Sequence, residues 1–304
     1  MRDNSILVTG GHGLVGSEFV GHQYYKPTSK EYDLTNTQDS NRLMLKRFDG
    51  IIHCAGKVGG VGGNMNYKGE FFYDNIMMNT NVIEGARLTG VKNLVAFLST
   101  CVFPDNVEYP LTEKKIHLGP PHFSNDAYAY AKRMTDIQIR AYKEQYGLNY
   151  KSVIPSNIYG PNDNYDIVNG HVIPSLIHKC YLARENKMPF IIWGSGKPLR
   201  EFIFSKDVSK LTEWVLHNYN ESEPIILSTS EEISIQDIVG IIVELMDFKG
   251  EVVFDSTKPD GQFRKPSDNS KIKTYLPDFK FTPIYDGLRE TIEYFQNNYN
   301  VIRK

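Results

Sequence analysis

Cysteine is scarce in this chain: Cys54, Cys101 and Cys180 are the three in a length of 304 residues. Their number and uneven spacing exclude a disulfide framework and give no metal-ligand set, so no metal is expected. Unpaired thiols fit a reducing cytoplasm. An excess of charge of one sign is missing as well. A formal net charge of −2 offers no polyanion-binding face, and nucleic acid is not expected as a partner. Long apolar runs are lacking: Ile51–Ala55 and Leu94–Leu98 are strand-sized and too short to cross a bilayer. Met1, Arg2 and Asp3 lead directly towards a strand, an arrangement without a signal peptide. No membrane association is expected. Internal repeats, low-complexity tracts and long linkers are not found either.

What is present suits a large core. Hydrophobic residues make up 40% of the chain, enough for one large domain or two that share a cleft. Strand-like and helix-like segments alternate from the start. Ser5–Thr9 reads as a buried strand, followed by glycines and a short helix from Leu14 to about Val20. Gly50–Cys54 and Asn93–Ser99 read as further buried strands, with a helical pattern over Glu70–Thr89 between them. Ser124 and Asn125 can cap a helix that runs to Tyr146, where Gly147 stops it. Tyr150–Ile154 is the next strand. Such alternation builds βαβ units and a parallel sheet. Beyond Pro155 the chain is rich in Asn, Gly and Pro, with one helix from His171 to about Asn186. Ile225–Ser228 reads as a late strand, Ser234–Met246 and Tyr285–Tyr299 as helices, and 251–280 as polar and broken by proline.

The run Gly10-Gly11-His12-Gly13-Leu14-Val15-Gly16 follows a strand and opens a helix. Glycines at 10, 13 and 16 allow the tight turn, let backbone N–H groups approach a pyrophosphate, and pack helix on sheet. The fold expected is therefore α/β, a Rossmann-type doubly wound parallel sheet with a smaller C-terminal lobe. Residues 1–160 would form the dinucleotide-binding domain and 161–304 mainly the substrate-binding lobe, with one or more strands near 200–230 returning to the sheet. An NAD-binding unit usually carries an acidic residue about 20 positions past the glycines. Here the stretch is Tyr24-Tyr25-Lys26-Pro27-Thr28-Ser29-Lys30, basic and hydroxylic. It favours a 2′-phosphate and hence NADPH, with Ser29, Lys30 and His12 as candidates; a solvated surface loop explains the same residues.

Tyr128 and Lys132 stand four apart near the start of the long helix, so both share one face. A cation beside a phenol stabilises phenolate and lowers its pKa from about 10, fitting tyrosine for acid–base work. Ser99 ends the preceding strand, where carboxyl-end loops build such a site. Cys101, two residues beyond, can transfer protons; the alternative is a small buried hydrophobe. His171, preceded by Gly170 at a helix start, would make an acid–base couple with Cys101.

These motifs resemble the extended short-chain dehydrogenase/reductase family, and within it the nucleotide-sugar 3,5-epimerase/4-reductases. The resemblance covers essentially the whole chain and is densest at Lys57–Gly60, Leu98–Pro104, Gly119–His122, Tyr128–Arg133, Pro155–Asn164, Gly170–Pro174, Trp193–Gly196 and Lys258–Gly261. It implies an NADPH-dependent oxidoreductase and epimerase acting on a GDP-sugar, GDP-4-keto-6-deoxy-D-mannose. Cys101 and His171 would be base and acid at C3 and C5, and Ser99, Tyr128 and Lys132 would serve the reduction at C4. Cofactor contacts would fall on Gly10–Gly16 (Gly10, Gly11, His12, Gly13, Leu14, Val15, Gly16), Phe97, Leu98, Ser99, Thr100, Lys132, Pro155, Ser156, Asn157, Ile158 and His171. Substrate contacts would fall on Lys179, Trp193, Arg200 and Asp260. The resemblance also implies a homodimer that pairs the helices at 70–89 and 126–146. A 4-epimerase, a 4,6-dehydratase and a non-catalytic NADP-binding regulator are the rivals. Thr100-Cys101-Val102 argues against elimination, a simple 4-epimerase has no use for Cys101 and His171, and the retained Tyr–Lys pair argues against a regulator. One departure stands out: seventeen positions separate Gly16 from Asp33, room for about two helical turns and a short second strand.

Overall fold

The computed structural model describes residues 5–258 and 260–304; Met1 to Asp3 and Pro259 of the sequence readings lie outside the described residues. In chain order the first part comprises β1 (Ile6–Thr9), β2 (Tyr24–Tyr25), α1 (Thr37–Met44), β3 (Gly50–His53), α2 (Val61–Asn66), α3 (Lys68–Leu88), β4 (Asn93–Phe97), α4 (Asp126–Tyr146) and β5 (Asn149–Pro155). It continues with β6 (Asn157–Tyr159), α5 (Val172–Asn186), β7 (Phe190–Trp193), β8 (Leu199–Phe204), α6 (Ser205–Asn218) and β9 (Ile225–Leu227). The last part holds β10 (Glu232–Ser234), α7 (Ile235–Leu245), β11 (Val252–Asp255), α8 (Ser270–Tyr275) and α9 (Ile284–Asn298). None of the described helices is long and apolar enough to cross a membrane.

Six strands form one sheet in the order β2-β1-β3-β4-β5-β9, all parallel. The expected doubly wound arrangement is what the chain adopts. Its strands are short runs of Ile, Leu and Val buried on both faces, as helix-covered parallel strands require. Successive side chains alternate between faces. Leu7, Ile51 and Leu94 pack with Leu43, Val82, Ile83 and Ile139 from α1, α3 and α4. Val8, Ile52 and Val95 pack with Val208, Leu211 and Val215 of α6 on the other face. Because β2 and β3 flank β1 on opposite sides, the winding reverses at β1. That reversal opens a crevice beyond the carboxyl ends of the strands.

The second core gathers Leu176 and Ile177 of α5, Ile238 and Ile242 of α7, and Leu288 and Phe295 of α9 around β6, β7 and β8. Two small sheets run through it, β10-β8-β6 and β11-β7. Cys180 is buried here as a packing residue.

Several elements differ from the sequence reading. The expected helix from Leu14 to Val20 is a single 3-10 turn, Gly16–Glu18. Too few residues stand between the glycines and β2 for a helix to climb the sheet and return. Phe19, 2% exposed, takes the helix's place as a plug between Val15 and the residues of α6. The segment 251–280, read as polar and broken by proline, contains β11 and α8. Parallel pairing of Val252–Asp255 with Phe190–Trp193 supplies a partner that local composition does not reveal. The helix α6 also goes unread, its SKDVSKLTEW start masking an inner face of Val208, Leu211 and Val215.

If Phe19 substitutes for a helix, Phe19→Ala should cost about 3–5 kcal/mol, the usual range for a buried phenylalanine. Urea unfolding measures this; a loss under about 1 kcal/mol would mean that the face is covered by other groups.

Candidate active site

The crevice is a cleft of about 1160 Å³, above the usual size of a small-molecule pocket. Gly10 through Gly16 line one end of it. Gly10 has φ +65°, and a Cβ there would fall 2.8 Å from the Ala55 nitrogen, while one on Gly16 would come within 2.2 Å of the Gly10 carbonyl oxygen. A side chain at either place would collide with backbone and open the tight turn, which in this form leaves bare backbone to meet a pyrophosphate. Phe97–Thr100, Lys132 and Pro155–Ile158 line the middle of the cleft.

Ser29 and Lys30 line the cleft beside Thr28 and Tyr32. His12 lines the cleft too, with Nε2 hydrogen-bonded to the Lys26 carbonyl at 3.2 Å. Glu31, the next residue, folds back: its carboxylate accepts from the Thr28 N–H and hydroxyl at 2.8 and 2.9 Å, bonds that lower its pKa.

The centre of the site rests on α4. Lys132, 3% exposed, donates from Nζ to the Phe97 carbonyl at the end of β4, 2.9 Å away. Burial pushes its pKa down to about 8, with Cys54 beside it acting in the opposite direction. One turn earlier, Tyr128 is buried, its ring centroid 5.9 Å from the Lys132 ammonium. The expectation that the lysine would lower the phenol's pKa is overturned. Burial raises it strongly and the neighbouring Cys101 adds to this, while a hydrogen bond with Ser99 acts the other way. Tyr128 is thus a phenol that keeps its proton near neutrality. Below the site, Thr9 Oγ1, His53 Nδ1 and Nε2, and Asn79 Oδ1 form a buried chain at 2.7 and 2.9 Å. Burial first, and then the Lys132 charge, push His53 down to about 3, so it is neutral.

Ser99 and Cys101 occupy the turn after β4, and the Cys101 N–H donates to the Ser99 hydroxyl oxygen at 3.3 Å. The sequence reading gave Asn125 to helix capping. It makes no side-chain cap bond; its amide donates instead to the Cys101 sulfur at 3.1 Å. Across the cleft, His171 heads α5. Its Nδ1 stands 3.6 Å from Oδ1 of Asp163, and 42% of its side-chain surface stays open. Burial tends to lower the imidazole pKa. The proximity and charge of Asp163 outweigh burial and the opposing charge of Arg303, so the net shift is upward.

At the far end, Lys179 and Trp193 line the cleft, the ammonium 4.3 Å from the indole centroid. Arg200 and Asp260 stand outside the lining. The Arg200 guanidinium bonds the Leu199 carbonyl at 2.7 Å, and Asp260 accepts from the Ser195 N–H and hydroxyl at 2.6 and 2.8 Å. The structure thus brings Ser99, Cys101, Tyr128, Lys132 and His171 to one cleft, from β4, α4 and α5. Missed by sequence reasoning were Asn125, Asp163 and Lys265, the last coupled electrostatically to Cys101. Asn125 lies three residues before Tyr128, just ahead of the helix, a spacing that could have shown it; Lys265 carries no local signal.

A parallel dinucleotide cradle joined to a Ser–Tyr–Lys set defines a nicotinamide-dependent oxidoreductase of the short-chain type. The chain belongs to the NAD dependent epimerase/dehydratase family, whose model matches residues 6–228. It is similar to a GDP-L-fucose synthase of Dictyostelium discoideum, 47% identical over 99% of this chain and 98% of the relative. A probable GDP-L-fucose synthase of Drosophila melanogaster is 40% identical over 98% and 99%. Among solved structures, a GDP-L-fucose synthetase from Naegleria fowleri bound to NADP superposes with a TM-score of 0.95 at 43% identity, covering 100% of this chain and 96% of that one.

Burial gives Lys132 a testable signature. In a 15N-lysine NMR titration it should lose its proton near pH 8, as should Lys151, also pushed down to about 8 by burial. Lys132→Met should remove one of the two transitions; two unchanged transitions would contradict the assignment.

Proposed function

We propose that this chain is an NADPH-dependent 3,5-epimerase/4-reductase that converts GDP-4-keto-6-deoxy-D-mannose to GDP-L-fucose. The observation that carries the reading is the placement of Cys101 and His171 in the same cleft as Ser99, Tyr128 and Lys132. A ketone reductase needs the last three; the thiol and the imidazole add a second proton-transfer pair. Full-length similarity to GDP-L-fucose synthases supports the same substrate.

The 4-keto group makes the hydrogens at C3 and C5 acidic, so removing one leaves an enolate. Cys101, as thiolate, takes the proton, and its sulfur is held by the Asn125 amide. His171 returns a proton to the opposite face, inverting the centre. The hydroxyls of Tyr128 and Ser99 hydrogen-bond to the C4 oxygen and stabilise the charge that develops on it. When bound in this cleft, NADPH would supply the hydride for C4. Tyr128 then gives its proton to that oxygen, a role that its burial-raised pKa fits. Lys132, fixed to the Phe97 carbonyl, orients the nicotinamide ribose and Tyr128. Reduction must come last, because it removes the carbonyl on which both inversions depend. Lys179, with Arg200, supplies cations for the diphosphate of the nucleotide. Trp193 and Asp260 stand at that same end, and Lys30, Ser29 and His12 suit a 2′-phosphate.

We further infer a homodimer through α3 and α4. Phe72 and Tyr73 on α3, and Tyr130, Met134 and Ile137 on α4, are exposed apolar side chains. The last three follow i, i+4, i+7 spacing and form one stripe, as a four-helix interface needs. Unpaired thiols at all three cysteines support a cytoplasmic setting.

Incubation with NADPH and GDP-4-keto-6-deoxy-D-mannose tests the reading, with GDP-L-fucose as the expected product. A C3- and C5-unchanged product would reduce the chain to a plain 4-reductase. Cys101→Ser should slow solvent-deuterium incorporation at C3 and C5 by about 100-fold or more while NADPH still binds; unaltered incorporation removes the thiol from the mechanism. Tyr128→Phe should slow that incorporation, because one donor to the C4 oxygen is lost, but should cut NADPH oxidation further, about 100-fold or more; near-normal oxidation would exclude the phenol as the acid.

A further inference from the structure

Between β6 and α5 the chain buries a carboxylate to which the reaction described above gives no task. Asp163 is 2% exposed, and its Oδ1 accepts the Asn164 N–H at 2.7 Å while facing His171 Nδ1 at 3.6 Å. Among the described residues, neither Asp163 Oδ2 nor His171 Nδ1 has a hydrogen-bond partner, although both atoms are fully buried. A buried carboxylate with one oxygen unpartnered is costly, and an opposite charge facing it recovers that cost. The open part of the His171 side chain is therefore away from Nδ1, and the ring lines the cleft.

The charges around this ring are few. Asp163 faces it from the loop after β6, and Arg303 opposes from beyond α9. The Asp166 carboxylate accepts from the Val168 and Asn169 N–H groups at 2.9 and 2.6 Å. Lys179, two turns along α5, lies over Trp193. The balance shifts the ring towards the imidazolium.

We propose that Asp163 is a positioning residue that keeps His171 protonated and turned so that Nε2–H faces the substrate carbon; this rests on the acid role given to His171 above. In the step, the Nε2–H bond breaks and a C–H bond forms with the electron pair of the enolate. The ring is left neutral with its Nδ1–H still facing Asp163, and it takes a proton from solvent before the second centre reacts.

The sign follows from that role. A general acid must be protonated, so exchange falls as pH rises through the His171 pKa, and Asp163 holds that limb at higher pH. In Asp163→Asn the limb of solvent-deuterium incorporation at C3 and C5 should move down by about one pH unit, a roughly tenfold loss above the limb. Incorporation at low pH should stay near that of the parent, and Asp163→Glu should recover part of the shift. NMR titration of the His171 ring should show its midpoint falling in Asp163→Asn and rising in Arg303→Ala, a variant at an exposed position that leaves the buried pair intact. An unmoved midpoint in both variants, or a loss in Asp163→Asn that is equal at every pH, would overturn the proposal. Absence of incorporation in the parent protein would defeat the epimerase reading instead, and the ring titration would still judge the pairing.

Discussion

Everything at the centre of the cleft depends on a buried ammonium satisfied by the last carbonyl of a strand. Lys132 can stay inside the protein because the Phe97 oxygen accepts its proton at 2.9 Å. That bond fixes the rotation of α4 against β4, and the rotation in turn sets Tyr128 beside Ser99 and brings Asn125 to the Cys101 sulfur. A charge taken out of water loses its hydration and becomes a weaker acid-holder, which is why the same burial that lowers Lys132 raises Tyr128. The two groups, nearly equal in proton affinity in water, are driven apart: the ammonium gives up its proton more readily and the phenol holds its own more firmly.

The site is assembled from pieces distant in sequence, and the parallel sheet makes this inexpensive. Each strand ends at the same edge, so Ser99 and Cys101 after β4 and Pro155–Ile158 after β5 meet without long connections. The second core brings α5 across, and with it His171 and Lys179. In the proposed reaction, proton donor and acceptor would therefore approach the sugar from opposite sides of the cleft. A carbon inverted at its centre requires that, because the proton must leave one face and arrive at the other.

Much of this was legible in the sequence, because strong local signals coincide with strong structural demands. The glycine spacing, the i, i+4 placement of Tyr128 and Lys132, and the uninterrupted apolar strands β1, β3 and β4 each answer a geometric need. Elements whose reason is tertiary were not legible. The strand β11 exists because β7 offers it a parallel neighbour, and α6 hides its inner face behind polar residues at its start. Asn125 looked like a cap by residue type, yet its amide has a better partner in the sulfur across the turn. Asp163 sits in Pro161-Asn162-Asp163-Asn164, which reads as an ordinary polar turn until folding buries the carboxylate. The phenol was misjudged because adjacency to a cation is visible in spacing and desolvation is not.

The three-residue turn that replaces the first helix changes how this cleft holds an anion. A full helix sums its peptide dipoles to about half a positive charge at its start, and a single turn has no such length over which to add them. Attraction for a pyrophosphate then depends on separate amide groups and on side-chain cations near the mouth, such as Lys30. Dissolved ions screen exposed charges over about 8 Å at physiological strength. Bound to separate amides and exposed cations, a dinucleotide would be held by contacts that dissolved ions weaken, so the salt around the protein would help set how fully the cleft is filled.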